Sequence, residues 1–74
     1  MALNLDPREE NFRRLATLRV NNVMEGLRKV GNLANPAAYK WSDEEVMRMF
    51  RELRTRLTEA EARFHARKKK NFRL

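Results

Sequence analysis

Residues 41–64, WSDEEVMRMFRELRTRLTEAEARF, decide the fold of this 74-residue chain. Ser42 followed three residues later by Glu45 is the pattern of a capping box, in which the two side chains satisfy free amide groups at the start of a helix. Beyond this start, apolar residues recur at alternating steps of four and three, which is the spacing of a coiled-coil seam on an α-helix. The seam positions are Val46, Phe50, Leu53, Leu57, Ala60 and Phe64. The stretch therefore predicts a helix over about residues 43–66, with Trp41 just before it packed against Val46.

A second helix is predicted upstream, over about residues 7–30. Asp6 followed by Pro7 is a typical helix start, and Gly31 is expected to end the helix in left-handed geometry. Gly26 lies inside the helix, where we expect another backbone to approach closely. The apolar residues of this segment again fall on one stripe: Phe12, Leu15, Ala16, Val20, Val23, Met24, Leu27 and Val30.

The two predicted helices define an all-α fold class, because no alternating apolar run of strand length occurs. A short turn can form at 36–39, since Asn35-Pro36 is a turn-forming pair. We expect an antiparallel two-helix hairpin over residues 6–66, with a flexible leader at 1–5 and a basic tail at 67–74. A hairpin of this size is marginal alone, so dimerisation or docking on a partner is expected to complete it. The predicted core or interface comprises Phe12, Leu15, Val23, Leu27, Trp41, Val46, Phe50, Leu53, Leu57 and Phe64.

Positive charge is concentrated at the C-terminal end. The chain has 17 Lys and Arg against 10 Asp and Glu, with a formal net charge of +7, and residues 63–74 hold six basic residues and no acid. Such a cluster can contact phosphates without base specificity, and an aromatic beside it can stack on an unpaired base. The predicted nucleic-acid-binding residues are Arg63, Arg67, Lys68, Lys69, Lys70, Phe72 and Arg73.

No arrangement of residues typical of catalysis occurs in the sequence. Cysteine is absent, and His65 is the only histidine, without a second ligand for a metal. The acidic residues lack convergent partners, and there is no Gly-rich phosphate loop. We therefore expect no enzymatic activity, catalytic residue, metal, cofactor or small-molecule substrate. The lack of cysteine fits the cytoplasm, short apolar runs predict no membrane span, and Asp6 interrupts any signal-peptide core.

Two functions fit these features best, and a third, binding to an anionic membrane surface, is disfavoured by the balanced charges of the second helix. The first is a non-enzymatic accessory protein that associates with a nucleic-acid or ribonucleoprotein machine, with RNA and DNA both open as ligands. The alternative is a protein-interaction module, or a regulator encoded by a phage or mobile element, that docks on a partner protein through its amphipathic helices. A homodimer would use the same apolar surfaces.

Part of the chain resembles a group of small bacterial and phage-borne helical proteins. The resemblance rests on Gly31-Asn32-Leu33 with Asn35, an aromatic at Tyr39, the segment Ser42-Asp-Glu-Glu-Val46, and a capped helix that ends in Phe64. It covers about residues 12–64, and Trp41 stands where the group usually has Tyr or Phe. The resemblance implies a small helical protein and carries no activity over to this chain.

Overall fold

The computed structural model describes residues 6–68 of the chain, and the side chains of residues 6–66. Two helices make up most of this part: α1, Pro7–Asn32, and α2, Asp43–Lys68. Residues 6–68 contain no strand. The chain is therefore all-α, and the two predicted helices are confirmed. The predicted leader, 1–5, and residues 69–74 of the predicted tail lie outside the described residues.

The start of α1 is fixed by Asp6, as the sequence predicts. Asp6 has an extended backbone, with φ −61° and ψ 125°, and its Oδ1 accepts a hydrogen bond of 2.8 Å from the backbone N–H of Arg8. The amides of Glu9 and Glu10 donate to the Asp6 carbonyl at 2.9 and 3.1 Å. Pro7, which has no amide hydrogen to leave unpaired, occupies the first helical position.

The end of α1 differs from the sequence prediction. The helix runs through Gly31 to Asn32, and no described glycine has a positive φ. Its C-cap is Leu33, with φ −69° and ψ −10°. The amides of Leu33 and Ala34 donate to the carbonyls of Val30 and Gly31, both at 3.0 Å. Because these tightened right-handed turns already satisfy the last carbonyls, the left-handed glycine cap is not needed.

Gly26 was expected to mark the close approach of another backbone, and no such approach occurs among the described residues. A Cβ atom placed on Gly26 would meet nothing within 4 Å. Gly26 is thus an exposed interior residue of α1, and its only structural effect is to weaken the helix.

The connection between the helices contains the predicted turn. The backbone amides of Ala38 and Tyr39 donate to the Asn35 carbonyl at 3.1 and 2.9 Å. The side chain of Asn35 also accepts a hydrogen bond of 3.1 Å from the Ala37 amide. This is an Asx turn, in which a short amide side chain imitates a backbone turn, and Pro36 supplies the fixed φ that favours it.

The predicted capping box of α2 is present. The Glu45 amide donates to Ser42 Oγ at 3.1 Å, and Glu45 Oε1 accepts from the Ser42 amide at 3.0 Å. The Val46 amide donates to the Ser42 carbonyl at 3.2 Å. Two free amides are satisfied reciprocally, so α2 begins at the predicted residue and extends two residues beyond the predicted end.

The chain divides into two units, Met1–Tyr39 and Lys40–Leu74, and each carries one helix. No residue of the described part is buried. The apolar side chains that are only half-buried are Leu15, Ala16, Val30, Val46 and Phe50. Local terms such as caps, ion pairs and helix propensity therefore support each helix. The antiparallel pairing and its completion by a dimer or a partner stay predictions.

Candidate interaction surface

The apolar stripe of α2, hereafter the seam, is Val46, Phe50, Leu53, Leu57, Ala60 and Phe64. It follows one side of the helix for about 27 Å, given the rise of 1.5 Å per residue. Its first two residues are half-buried, whereas Leu57 is 68% and Phe64 63% exposed. The seam is thus a long strip of large apolar side chains that the described chain leaves accessible to another molecule.

Two methionines widen the seam at its N-terminal end. Met47 lies on one side of it and Met49 on the other, and both are exposed. Methionine side chains are flexible and polarisable, so they adapt to partner surfaces of different shape. This end of α2 is therefore suited to contact an apolar partner.

An open depression runs along the Met47 side of the seam. Its apolar lining comes from Val46, Met47 and Phe50, and its polar lining includes Arg51, Arg54 and Thr58. The sequence prediction named Val46 and Phe50 and missed the polar residues. Phe50, Arg54 and Thr58 are four residues apart, so the sequence alone could have predicted that they lie along one side of the helix.

The charged side chains of α2 differ in whether they have partners. Arg56 forms ion pairs of 2.9 Å with Glu52 and 3.3 Å with Glu59. Within residues 6–66, Arg54 and Arg63 form neither an ion pair nor a hydrogen bond through their side chains. Their guanidinium groups can therefore bind an acidic partner without first breaking a contact inside the helix.

The carboxylates with perturbed pKa values are at helix caps or in exposed ion pairs. Hydrogen bonds from Arg8 lower the pKa of Asp6, and the backbone and side chain of Ser42 lower that of Glu45. The Arg28 side chain, 2.6 Å from Glu25, lowers the pKa of that carboxyl. A structural role explains each shift. Among the described residues, no group of three or more acidic or histidine side chains could hold a metal ion.

The apolar stripe of α1 is also accessible. Val23 is 60% and Leu27 44% exposed, and Phe12 is exposed near the start of the helix. Leu15 is half-buried. Of the predicted interface residues, those on α1 thus form a second apolar strip at the surface of its unit. Trp41, just before α2, is 39% exposed.

Most of the predicted nucleic-acid-binding cluster lies outside the described side chains. Arg63 is exposed on α2, and the α2 backbone continues through positions 67 and 68. Lys69, Lys70, Phe72 and Arg73 fall beyond the described residues, as do the side chains of Arg67 and Lys68. The convergence of this cluster on phosphate therefore stays a prediction.

Neither described helix is both long enough and apolar enough to cross a membrane.

No protein-family model matches this chain, and neither a curated protein nor a solved structure is significantly similar to it. The resemblance of residues 12–64 to small bacterial and phage-borne helical proteins stays a prediction. The function must therefore be argued from the residues of this chain.

Proposed function

We propose that this protein is a small, non-enzymatic interaction module that docks on a partner protein through the apolar side of its helices. The observation that carries the proposal is the exposure of the α2 seam, together with the lack of any buried residue in the described chain. Contiguous apolar strips of this size on a small protein are typical of interaction sites.

The gain from covering the seam is large for so small a protein. Complete burial of a Leu or Phe side chain is worth roughly 1.5–3 kcal/mol. Leu57 and Phe64 are each about two-thirds exposed. Burial of each against a partner would therefore stabilise the complex by about 1–2 kcal/mol. Docking can thus supply stability that the described contacts do not.

A matched pair of variants tests the proposal. Leu53→Asp puts a carboxylate in the seam, whereas Ala62→Asp adds the same charge about 180° around the helix, since nine residues make two and a half turns. Proteins captured by the full chain from a nuclease-treated lysate of the source cells are compared by mass spectrometry. A partner retained by the wild type and by Ala62→Asp but lost with Leu53→Asp is the expected result.

Equal retention by both variants would contradict docking through the seam. Sedimentation of the purified wild type, over a range of concentrations, is the companion measurement. A concentration-dependent dimer that only Leu53→Asp disrupts would identify the partner as a second copy of the chain.

A second function is favoured by the charge at the end of the chain. Residues 63–74 hold six basic residues and no acid, and α2 continues through Lys68, so Arg63 and Arg67 are one helical turn apart. We propose that this segment contacts phosphates while the helices bind protein, as in an accessory protein of a nucleic-acid or ribonucleoprotein machine. The absence of cysteine is compatible with a cytoplasmic location.

The second function predicts binding that depends strongly on salt. Affinity for a labelled RNA or DNA oligonucleotide of the same sequence should fall steeply as salt rises, because phosphate contacts release counterions. Deletion of residues 66–74 should abolish it, whereas Leu53→Asp should leave it nearly unchanged. Binding that is insensitive to salt, or that survives the deletion, would refute phosphate contact by this segment.

A further inference from the structure

The seam of α2 assigns each neighbouring residue a place in a coiled-coil interface. Phe50, Leu57 and Phe64 occupy one core row, and Val46, Leu53 and Ala60 the other. The residues directly beside these rows flank the interface and face the flanking residues of any helix that packs on the seam. The charges at these positions therefore select the partner.

The flanking positions of α2 are mainly basic. One flank carries Met47, Arg54 and Glu61, and the other carries Met49, Arg56 and Arg63. Glu61 is the single acid, and its carboxylate lies 3.8 Å from His65. Arg56 is already neutralised by Glu52 and Glu59, but Arg54 and Arg63 have no side-chain partner within residues 6–66.

Antiparallel pairing of α2 with a second α2 is disfavoured by the charge of Arg54. In the antiparallel arrangement that sets Phe50 against Ala60 and Leu53 against Leu57, Arg54 lies beside Arg54 of the second copy. Like charges facing each other across a coiled coil oppose association. Arg54 thus acts against self-pairing in this antiparallel arrangement.

The depression beside the seam has the same mixed chemistry. Its lining combines the apolar residues Met47 and Phe50 with Arg51 and Arg54, and Glu59, which is paired with Arg56, also lines it. A ligand that offers apolar groups and carboxylates close together complements the apolar residues and the two arginines. An amphipathic helix with acidic flanks offers both at the spacing of the seam.

We propose that the α2 seam binds an acidic amphipathic helix of a partner protein, whose flanking carboxylates reach Arg54 and Arg63. This inference rests on the proposed docking function and adds the chemistry of the partner. The apolar rows supply affinity. Arg54 and Arg63, which have no side-chain partner within residues 6–66, select acidic helices over basic ones.

Synthetic peptides test the inference on the full chain. The probe is a four-heptad peptide with Ile and Leu in its core rows and Glu at every flanking position. One control peptide carries Lys at the flanking positions, and another keeps the glutamates but has Ser in the core rows. Binding is measured by fluorescence anisotropy at about 0.15 M salt, where distant charges are largely screened.

The acidic peptide should bind at least about tenfold more tightly than the basic one, and the Ser peptide should bind weakly. Arg54→Glu should weaken acidic-peptide binding about fivefold, the effect of replacing one exposed attraction with a repulsion. Arg48→Glu makes the same charge change about 160° away from the seam centre and should have little effect. Circular dichroism of both variants verifies that α2 stays helical.

Three results would overturn the inference: equal affinity for the acidic and basic peptides, no measurable binding of the acidic peptide, or equal binding of the Ser peptide. The last would mean that the net charge of the chain attracts the peptide without the seam. The capture experiment with Leu53→Asp is independent of flanking charge. The docking function can therefore hold while the acidic partner is rejected, and the two failures are distinguishable.

Discussion

Replacement of Gly26 by alanine should strengthen α1. Gly26 lies in the interior of a 26-residue helix, its φ is negative, and a Cβ atom there would meet nothing within 4 Å. Alanine therefore fits without strain and removes the backbone freedom that glycine has in the unfolded chain. The difference in helix propensity is about 1 kcal/mol.

The size of this effect can be measured directly. Because no described residue is buried, local terms decide how much of α1 is helical. A change of about 1 kcal/mol shifts the helix–coil equilibrium about fivefold. Far-UV circular dichroism at 222 nm, recorded against temperature, should show greater helicity for Gly26→Ala. Gly31→Ala is the matched control, since it has equal free space but lies in the last turn, where helices fray. Its gain should be smaller.

A loss of helicity in Gly26→Ala would refute this reasoning. It would mean that glycine is needed at position 26 for a contact outside the described residues, such as the close backbone approach that the sequence suggests. Measurement at two protein concentrations separates the cases, because a contact between copies would make the loss depend on concentration.

Two further perturbations test the caps of the helices. Ser42→Ala should weaken α2 by about 1 kcal/mol, because the capping box is lost. Thr55→Ala, which lies inside the helix, is the control and should not lower the helicity measured at 222 nm. Equal helicity of the wild type and Ser42→Ala would contradict a stabilising role of the cap. Helicity should also fall as the pH drops below about 4.5, the ordinary value of a glutamate. The folded helices hold the pKa values of Asp6 and Glu45 below their unfolded values, so their stabilisation is complete above the unfolded pKa and lost as the pH falls through the folded one. A pH titration followed by circular dichroism at constant salt measures this loss of helicity. Glu45→Gln should make helicity less dependent on pH. Constant helicity of the wild type from neutral pH to pH 2 would contradict the prediction.

Local chemistry explains why the helix starts could be predicted from the sequence. Asp6 accepts hydrogen bonds from the amides of Arg8, Glu9 and Glu10, which are its near neighbours in the chain. Ser42 and Glu45 likewise bond to each other across three residues. The turn at Asn35 is local in the same way. For such features a short stretch of sequence contains all the interacting groups. Their structure therefore does not depend on residues that are distant in the chain.

The two glycines show where local rules stop being decisive. Gly31 can adopt left-handed geometry but is not forced to, and right-handed turns through Leu33 and Ala34 satisfy the same carbonyls. Gly26 permits a close approach of another backbone, but the sequence of α1 does not determine which element packs there. Permissive residues allow several structures, so surrounding contacts choose among them.

The candidate site depends on a different kind of information. The four–three spacing predicts which side chains of α2 form the seam, because helical geometry fixes it. Whether Arg54 and Arg63 are available for binding depends on whether the nearby acidic side chains form ion pairs with other basic residues instead. Glu59 contacts Arg56, although Arg63 lies at the favoured spacing of four residues. Within residues 6–66 this choice leaves Arg63 without an ion pair. Competition among the side chains of the helix therefore determines the charge that a partner helix meets.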